Sequence, residues 1–231
     1  MNQLLSILLV CGLVGVQTRA GTITGTVHAE GKTGADADAL CGKYDSRQFK
    51  FAERVDYAEM HDFVVYIEGP VGAKPVVPPE KPAHVITSRV QQKGAMFFPH
   101  VLPIIVGTTV EWPNDDKIFH NVFSISETCV FDLELYKAPV VKSVVFEKPG
   151  RVDVFCSIHT AMNCIVLVLE NPYFASTNEK GGYKILNVPP GTYKLKAWHE
   201  RLPSQTKEIT VPETGMIKMD FVLGIKGLPK L

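Results

Sequence analysis

From residue 21 onward the chain is written in short alternating or branched-apolar runs, each cut after ten residues or so by Gly, Pro, Asn or Asp. Such a rhythm builds strands and turns, so the fold class read from it is all-β. Early runs lie at Thr22 to Val27 and Asp62 to Glu68. A second set begins near His84, with strands expected around Val85 to Val90, Met96 to Phe98, Ile104 to Trp112, Asn121 to Ser124, Val140 to Phe146, Arg151 to Phe155 and Cys164 to Leu169. Ile165 to Leu169 is continuously apolar, which fits a central strand covered on both faces. A third set runs through Gly182 to Leu186, Tyr193 to Trp198, Lys207 to Val211 and Ile217 to Leu223. The one helix signal is near Phe51 to Tyr57, and the stretch from Gly69 to Pro82 packs five prolines into fourteen residues, making a stiff connector.

Ahead of these strands, residues 4 to 16 form an apolar run too short for a comfortable membrane span, with small residues around a cut after Ala20. Residues 1–20 therefore read as a secretory signal, although no Lys or Arg precedes the run, so retention as an anchor is the alternative. The chain carries 24 basic and 24 acidic residues, a balance that offers no footprint for nucleic acid. Of five cysteines, Cys11 leaves with the signal. Export would place the rest in an oxidising compartment, where Cys41 and Cys129 are the more plausible pair, because Cys164 falls inside an apolar strand.

Four residues late in the chain carry chemistry together. His120 stands in one segment, and Cys156, His159 and Met162 form a Cys-x-x-His-x-x-Met loop in another. A thiolate is a soft ligand, imidazoles suit both copper oxidation states, and a thioether makes a long axial bond, so the set fits one mononuclear type 1 copper ion. Zinc is the rival metal, with Cys164 replacing Met162 in a Cys2His2 set. Of the other histidines, His28, His61 and His84 read as solvated and His100 as structural. His199 and Glu200 read as surface residues, since neighbours on a strand point to opposite faces. Trp112 reads as core, and Met96, Phe97 and Phe98 read as sandwich core, with an apolar rim to the site as the alternative.

The stretch Val106 to Ser124, followed by Phe155 to Met162, resembles the cupredoxin family of amicyanin and plastocyanin type. There a G-T/D-x-V-x-W/F-x-N strand leads to a loop ending in His-Asn-Val, and the remaining ligands lie on a loop between the last two strands. The resemblance implies a Greek-key β-sandwich in which His120, Cys156 and His159 are strong equatorial ligands and Met162 the weak axial one. It further implies that Asn121 ties the two ligand loops together and gives a backbone N–H to the sulfur. Ile158 stands where several relatives have Pro, leaving a further backbone N–H near the sulfur.

The segment from Gly182 to Tyr193, with Asn187-Val188-Pro189-Pro190-Gly191, resembles the carboxypeptidase regulatory-like, or transthyretin-like, β-sandwich. Its usual opening strands, G-x-V and V-V-Y-I-E-G, occur far upstream at Gly25 to Val27 and Val64 to Gly69. The expected organisation is therefore residues 21–83 and 173–231 as one discontinuous sandwich, with a cupredoxin of residues 84–172 inserted. The combination is similar to secreted accessory proteins labelled methylamine-utilisation-like. These resemblances imply an exported, periplasmic or otherwise extracytoplasmic electron carrier with transient redox partner proteins and no catalytic residues. Alternatives are a carbohydrate- or protein-binding scaffold with a structural copper, and a copper delivery or storage protein.

Overall fold

The computed structural model describes residues 20–31, 56–71 and 86–224. The first nineteen residues of the expected signal, Phe51 to Val55, most of the proline-rich connector, Cys41 and His84 lie outside them. The described residues form eighteen strands and no helix, so the protein is all-β, and none of them forms a helix long and apolar enough to cross a membrane.

One sandwich is built from β3 (Thr87–Arg89), β7 (Thr108–Pro113) and β10 (Val141–Phe146) in the order β10-β7-β3, facing a five-stranded sheet. That sheet runs β6 (Val101–Ile105), β12 (Asn163–Leu169), β11 (Gly150–Phe155), β8 (His120–Ser126), β9 (Cys129–Tyr136). A small hairpin, β4 (Gln91–Lys93) and β5 (Met96–Phe98), closes one end. Alternate residues of facing strands make the core, where Trp112, Phe146, Val122, Val152, Val154 and Val166 lose all contact with water. The single strand expected over Ile104 to Trp112 is two, because Gly107 takes a φ of 88° and turns the chain from one sheet to the other.

A second sandwich pairs β1 (Gly21–Glu30), β14 (Gly182–Val188), β17 (Met216–Lys218) and β18 (Phe221–Gly224) against the sheet β13-β2-β15-β16. The members of that sheet are β13 (Phe174–Ser176), β2 (Val64–Ile67), β15 (Gly191–His199) and β16 (Leu202–Val211). Strand β1 runs antiparallel to β14 and parallel to both β17 and β18, which meet it at successive stretches. The crossing requires glycine at residue 25, since a Cβ there would lie 1.8 Å from the Met219 carbonyl oxygen. Ile23, Phe63, Val65, Leu195 and Phe221 form its core.

The two sandwiches meet through β12. Its Cys164, Val166 and Val168 face the first core, while Ile165, Leu167 and Leu169 join Val101 and Val64 in a separate buried cluster flanked by Tyr66, Phe174 and Trp198. This explains the unbroken apolar run, because neither face of the strand meets water. Polar contacts edge the seam: His100 Nε2 lies 3.0 Å from Glu200 Oε1, and the Arg151 guanidinium stands 5.9 Å from the Trp198 ring centroid.

His199 corrects an expectation. It is buried rather than at the surface, its ring 4.9 Å from that of Phe63 and its Nδ1 accepting from the Arg201 N–H at 3.1 Å. β15 ends at His199, which turns inward, while partly exposed Glu200 begins the turn and reaches His100. Burial pushes the imidazole below the ordinary histidine range, against the opposing pull of Glu200 and Asp62.

Two outcomes follow. The unfolded chain takes up a proton at His199 near pH 6.5 while the folded chain resists it, so stability is full above that pH and falls below it. Urea unfolding between about pH 7.5 and 5.5 should show this loss, and His199→Leu should reduce its slope. Leu167→Ala should lower stability by about 2–5 kcal/mol in the same assay, while Ile125→Ala, on an exposed site, should change it by less than about 0.5 kcal/mol.

Candidate metal centre

The loop from residue 114 to 119 delivers His120 to the start of β8 in a fixed pose. Asn114 is buried, its amide donates to the Ile118 and Tyr136 carbonyls at 3.0 and 3.1 Å, and its Oδ1 accepts the Asp116 N–H at 2.9 Å. The second segment leaves β11 at Cys156 and returns as β12. It closes on itself, with the Met162 N–H donating to the His159 carbonyl at 3.0 Å and the Cys156 N–H to the Met162 carbonyl at 3.1 Å. Two residues between each pair of candidate ligands are therefore spent on one tight turn.

These segments bring three candidates together. One atom each of His120, Cys156 and His159 lies within 4.8 Å of the others, and no other such group occurs among the described residues. His120 Nδ1 is 3.1 Å from His159 Nδ1, and Cys156 Sγ is 3.6 Å from that same nitrogen. An ion bonded at about 2.0–2.1 Å to nitrogen and about 2.3 Å to sulfur spaces its ligands about 3.5–3.8 Å apart at trigonal angles and about 3.1 Å where a nitrogen–metal–nitrogen angle closes to about 100°, so both separations are of the size a shared metal requires. Met162, 1% exposed, belongs to the same buried cluster as Cys156 and completes the order of donors on the loop.

Polarity around the set favours a cation. Asp116 Oδ2 lies 2.8 Å from His120 Nε2, and a carboxylate offers that ring an acceptor only. Asp116 is held near pKa 2, chiefly by the Ala95 N–H, then by the Gly94 N–H and His120. The sequence reading passed over Asp116; its signal is an acid four residues ahead of a candidate ligand. Asn121 was singled out, and it bridges the two segments. Its N–H donates to Cys156 Sγ at 3.5 Å, its Oδ1 accepts from the Ser157 N–H at 3.3 Å, and its amide donates to Asp132 at 2.7 Å.

Cys164 does not join the group. It pairs across from Val154 inside the apolar core, and burial pushes its thiol up, away from the thiolate a zinc site needs. Cys129, Cys156 and Cys164 are not bonded to one another. Trp112 and Phe97 are core as expected, whereas Met96 and Phe98 are about half exposed, at 51% and 45%. Ile118, Phe119 and Ile158, also about half exposed, stand within two residues of His120 or His159 in the chain, and only His159 among the candidate ligands is partly open to solvent.

The chain is similar to several solved copper proteins. A purple cupredoxin from Nitrosopumilus maritimus is 31% identical over 35% of this chain and 98% of its own, with a TM-score of 0.32. A copper-containing nitrite reductase from Thermus scotoductus SA-01 is 32% identical over 43% of this chain and 26% of its own, with a TM-score of 0.37. An amicyanin variant in its reduced Cu(I) form is 25% identical over 38% of this chain and 86% of its own, with a TM-score of 0.33. A family model described as polysaccharide lyase family 4, domain II matches residues 168–218. No curated protein matches the chain.

Asn121→Ala should destabilise the metal-free protein by about 1–3 kcal/mol, since it strips partners from Ser157 and Asp132 beside a buried loop. Denaturant unfolding in the presence of a chelator measures it.

Proposed function

Because this chain carries a cupredoxin-like β-sandwich in which two imidazoles and a thiol converge, we propose that it is an exported single-copper electron carrier, not an enzyme. The observation that carries the reading is the spacing of His120 Nδ1, His159 Nδ1 and Cys156 Sγ, which suits a trigonal ion. His120, Cys156 and His159 would hold copper as equatorial ligands, with Met162 as the weak axial one. When bound there, copper supplies a one-electron couple whose two states tolerate the same ligand set.

The chain's own residues do the rest. His120 is wholly buried and held at Nε2 by Asp116, so it keeps its place whichever charge the site carries. The Asn121 N–H offsets negative charge on the sulfur. His159 alone reaches solvent, next to half-exposed Ile158, and the apolar side chains around it give a redox partner protein a small surface for a brief encounter. In this reading residues 84–172 are the copper domain, and residues 21–83 and 173–231 form an accessory sandwich in a periplasmic or otherwise extracytoplasmic protein. No substrate bond is made or broken.

A second reading, a carbohydrate-binding scaffold with structural copper, draws on the likeness of residues 168–218 to a polysaccharide lyase domain. One titration separates the two. Adding Cu(II) to the purified chain should give an intense blue or green thiolate-to-copper band and reversible voltammetry, and Cys156→Ser should abolish the colour. Full Cu(II) loading without colour would sink the carrier. A redox-silent metal together with tight glycan binding would move the assignment to the scaffold.

A further inference from the structure

The geometry points to Asp116 as a positioning residue whose carboxylate, braced by the Gly94–Ala95 turn, sets the tautomer of His120 and so leaves Nδ1 bare toward Cys156 and His159. The inference rests on His120 being a metal ligand, as proposed above, but it concerns how the protein prepares that ligand before any ion arrives.

Strands β4 and β5 pair Lys93 with Met96, so Gly94 and Ala95 are the two central residues of the hairpin turn. Both adopt positive φ, 63° and 54°, as a two-residue turn of the primed kind demands. Glycine does this freely; alanine does not, because its Cβ crowds the backbone there. A strained residue persists where surrounding contacts hold it, and here the contact is specific. The Gly94 and Ala95 N–H groups donate to Asp116, at 2.8 Å to Oδ1 and 3.0 Å to Oδ2 respectively, and Oδ2 also accepts from His120 Nε2 at 2.8 Å. One carboxylate thus links a turn to a ring twenty-five positions further along the chain.

The hairpin is in turn locked to the loop that carries Asp116. Asp115 N–H donates to the Gln92 carbonyl at 2.9 Å, Gln92 bridges to Asn114, and the Gln91 amide donates to the Asp115 carboxylate. Gln92 itself is fully buried, its amide donating to the Trp112 carbonyl and the Tyr136 hydroxyl. The acceptor facing His120 is therefore anchored from two directions. A buried imidazole with no acceptor at Nε2 could equally carry its proton on Nδ1, where it would block coordination.

The test needs no metal in its first arm. In the full, metal-free chain labelled with 15N at histidine, long-range 1H–15N correlation should show His120 as a single tautomer with the proton on Nε2. Asp116→Ala should convert this to a mixture or to the Nδ1–H form, Asp116→Asn should weaken the preference, and Ala95→Gly, which keeps the N–H and removes the crowded Cβ, should retain it. In the second arm, competition for Cu(I) against a coloured chelator should show about a tenfold or greater loss of affinity in Asp116→Ala. A wild-type Nδ1–H tautomer, or an Asp116→Ala ring unchanged from wild type, overturns the inference. If Asp116→Ala does not fold, the wild-type tautomer and the Asp116→Asn spectrum decide alone. A protein that never turns blue but shows the Nε2–H tautomer would sink the copper carrier and leave this inference standing.

Discussion

Strand β12 is covered on both faces, and that constraint reaches the candidate metal centre. Its even-numbered residues lie in one sandwich core and its odd-numbered residues in the seam with the other. It is also laddered on both edges, to β11 through Asp153 and to β6 through Val101, both opposite Ile165. The strand can neither tilt nor slide without disturbing two cores. Met162 immediately precedes it and Cys156 immediately follows β11, so the Cys-x-x-His-x-x-Met loop is strung between two fixed posts. The second sandwich, remote in sequence, thereby stiffens the loop that carries three of the four candidate ligands.

His120 comes from the other direction and is fixed by different means. No apolar packing alone orients an imidazole, which has two nitrogens of opposite character and a ring that can turn over. Orientation needs a polar partner, and burial makes that partner decisive because water cannot substitute for it. Asp116 on one side and Asn114 behind the loop supply what hydrophobic contacts cannot. The site thus combines an apolar clamp on the Cys156 segment with a hydrogen-bonded brace on the His120 segment, and Asn121 joins the two.

What the sequence disclosed and withheld follows from the range of each interaction. The loop ligands were legible because fixed spacing within seven residues leaves one tight turn as the solution, and the all-β class was legible from local periodicity. Ile165 to Leu169 announced its two covered faces by lacking any polar residue. His199 was misread because alternation says that neighbours diverge but not which one turns inward; that depends on Phe63, over a hundred residues away. The division of Ile104 to Trp112 hung on the φ of Gly107, which a branched-apolar context concealed. Asp116 was invisible for the same reason as His199: its meaning comes from Gly94, Ala95 and His120 jointly. Cys164 shows the converse, since its place in an apolar run already argued against a zinc site.

The seam also limits how a partner could approach the centre. It hides the outer residues of β12, and Glu200 with Arg151 and His100 closes its edge. Exposed apolar side chains adjoin the ligands along the chain at Ile158, Phe119 and Ile118, and His159 is the one candidate ligand that meets solvent. Lys137 stands over the Phe119 ring at 4.9 Å, which adds a positive charge to the rim without breaking its apolar character. An encounter surface of this kind is small, so it favours short-lived contacts over a lasting complex, which is what an electron carrier under the proposed reading requires. Under that reading the second sandwich would serve the copper domain by holding β12 still while His159 stays partly open to solvent.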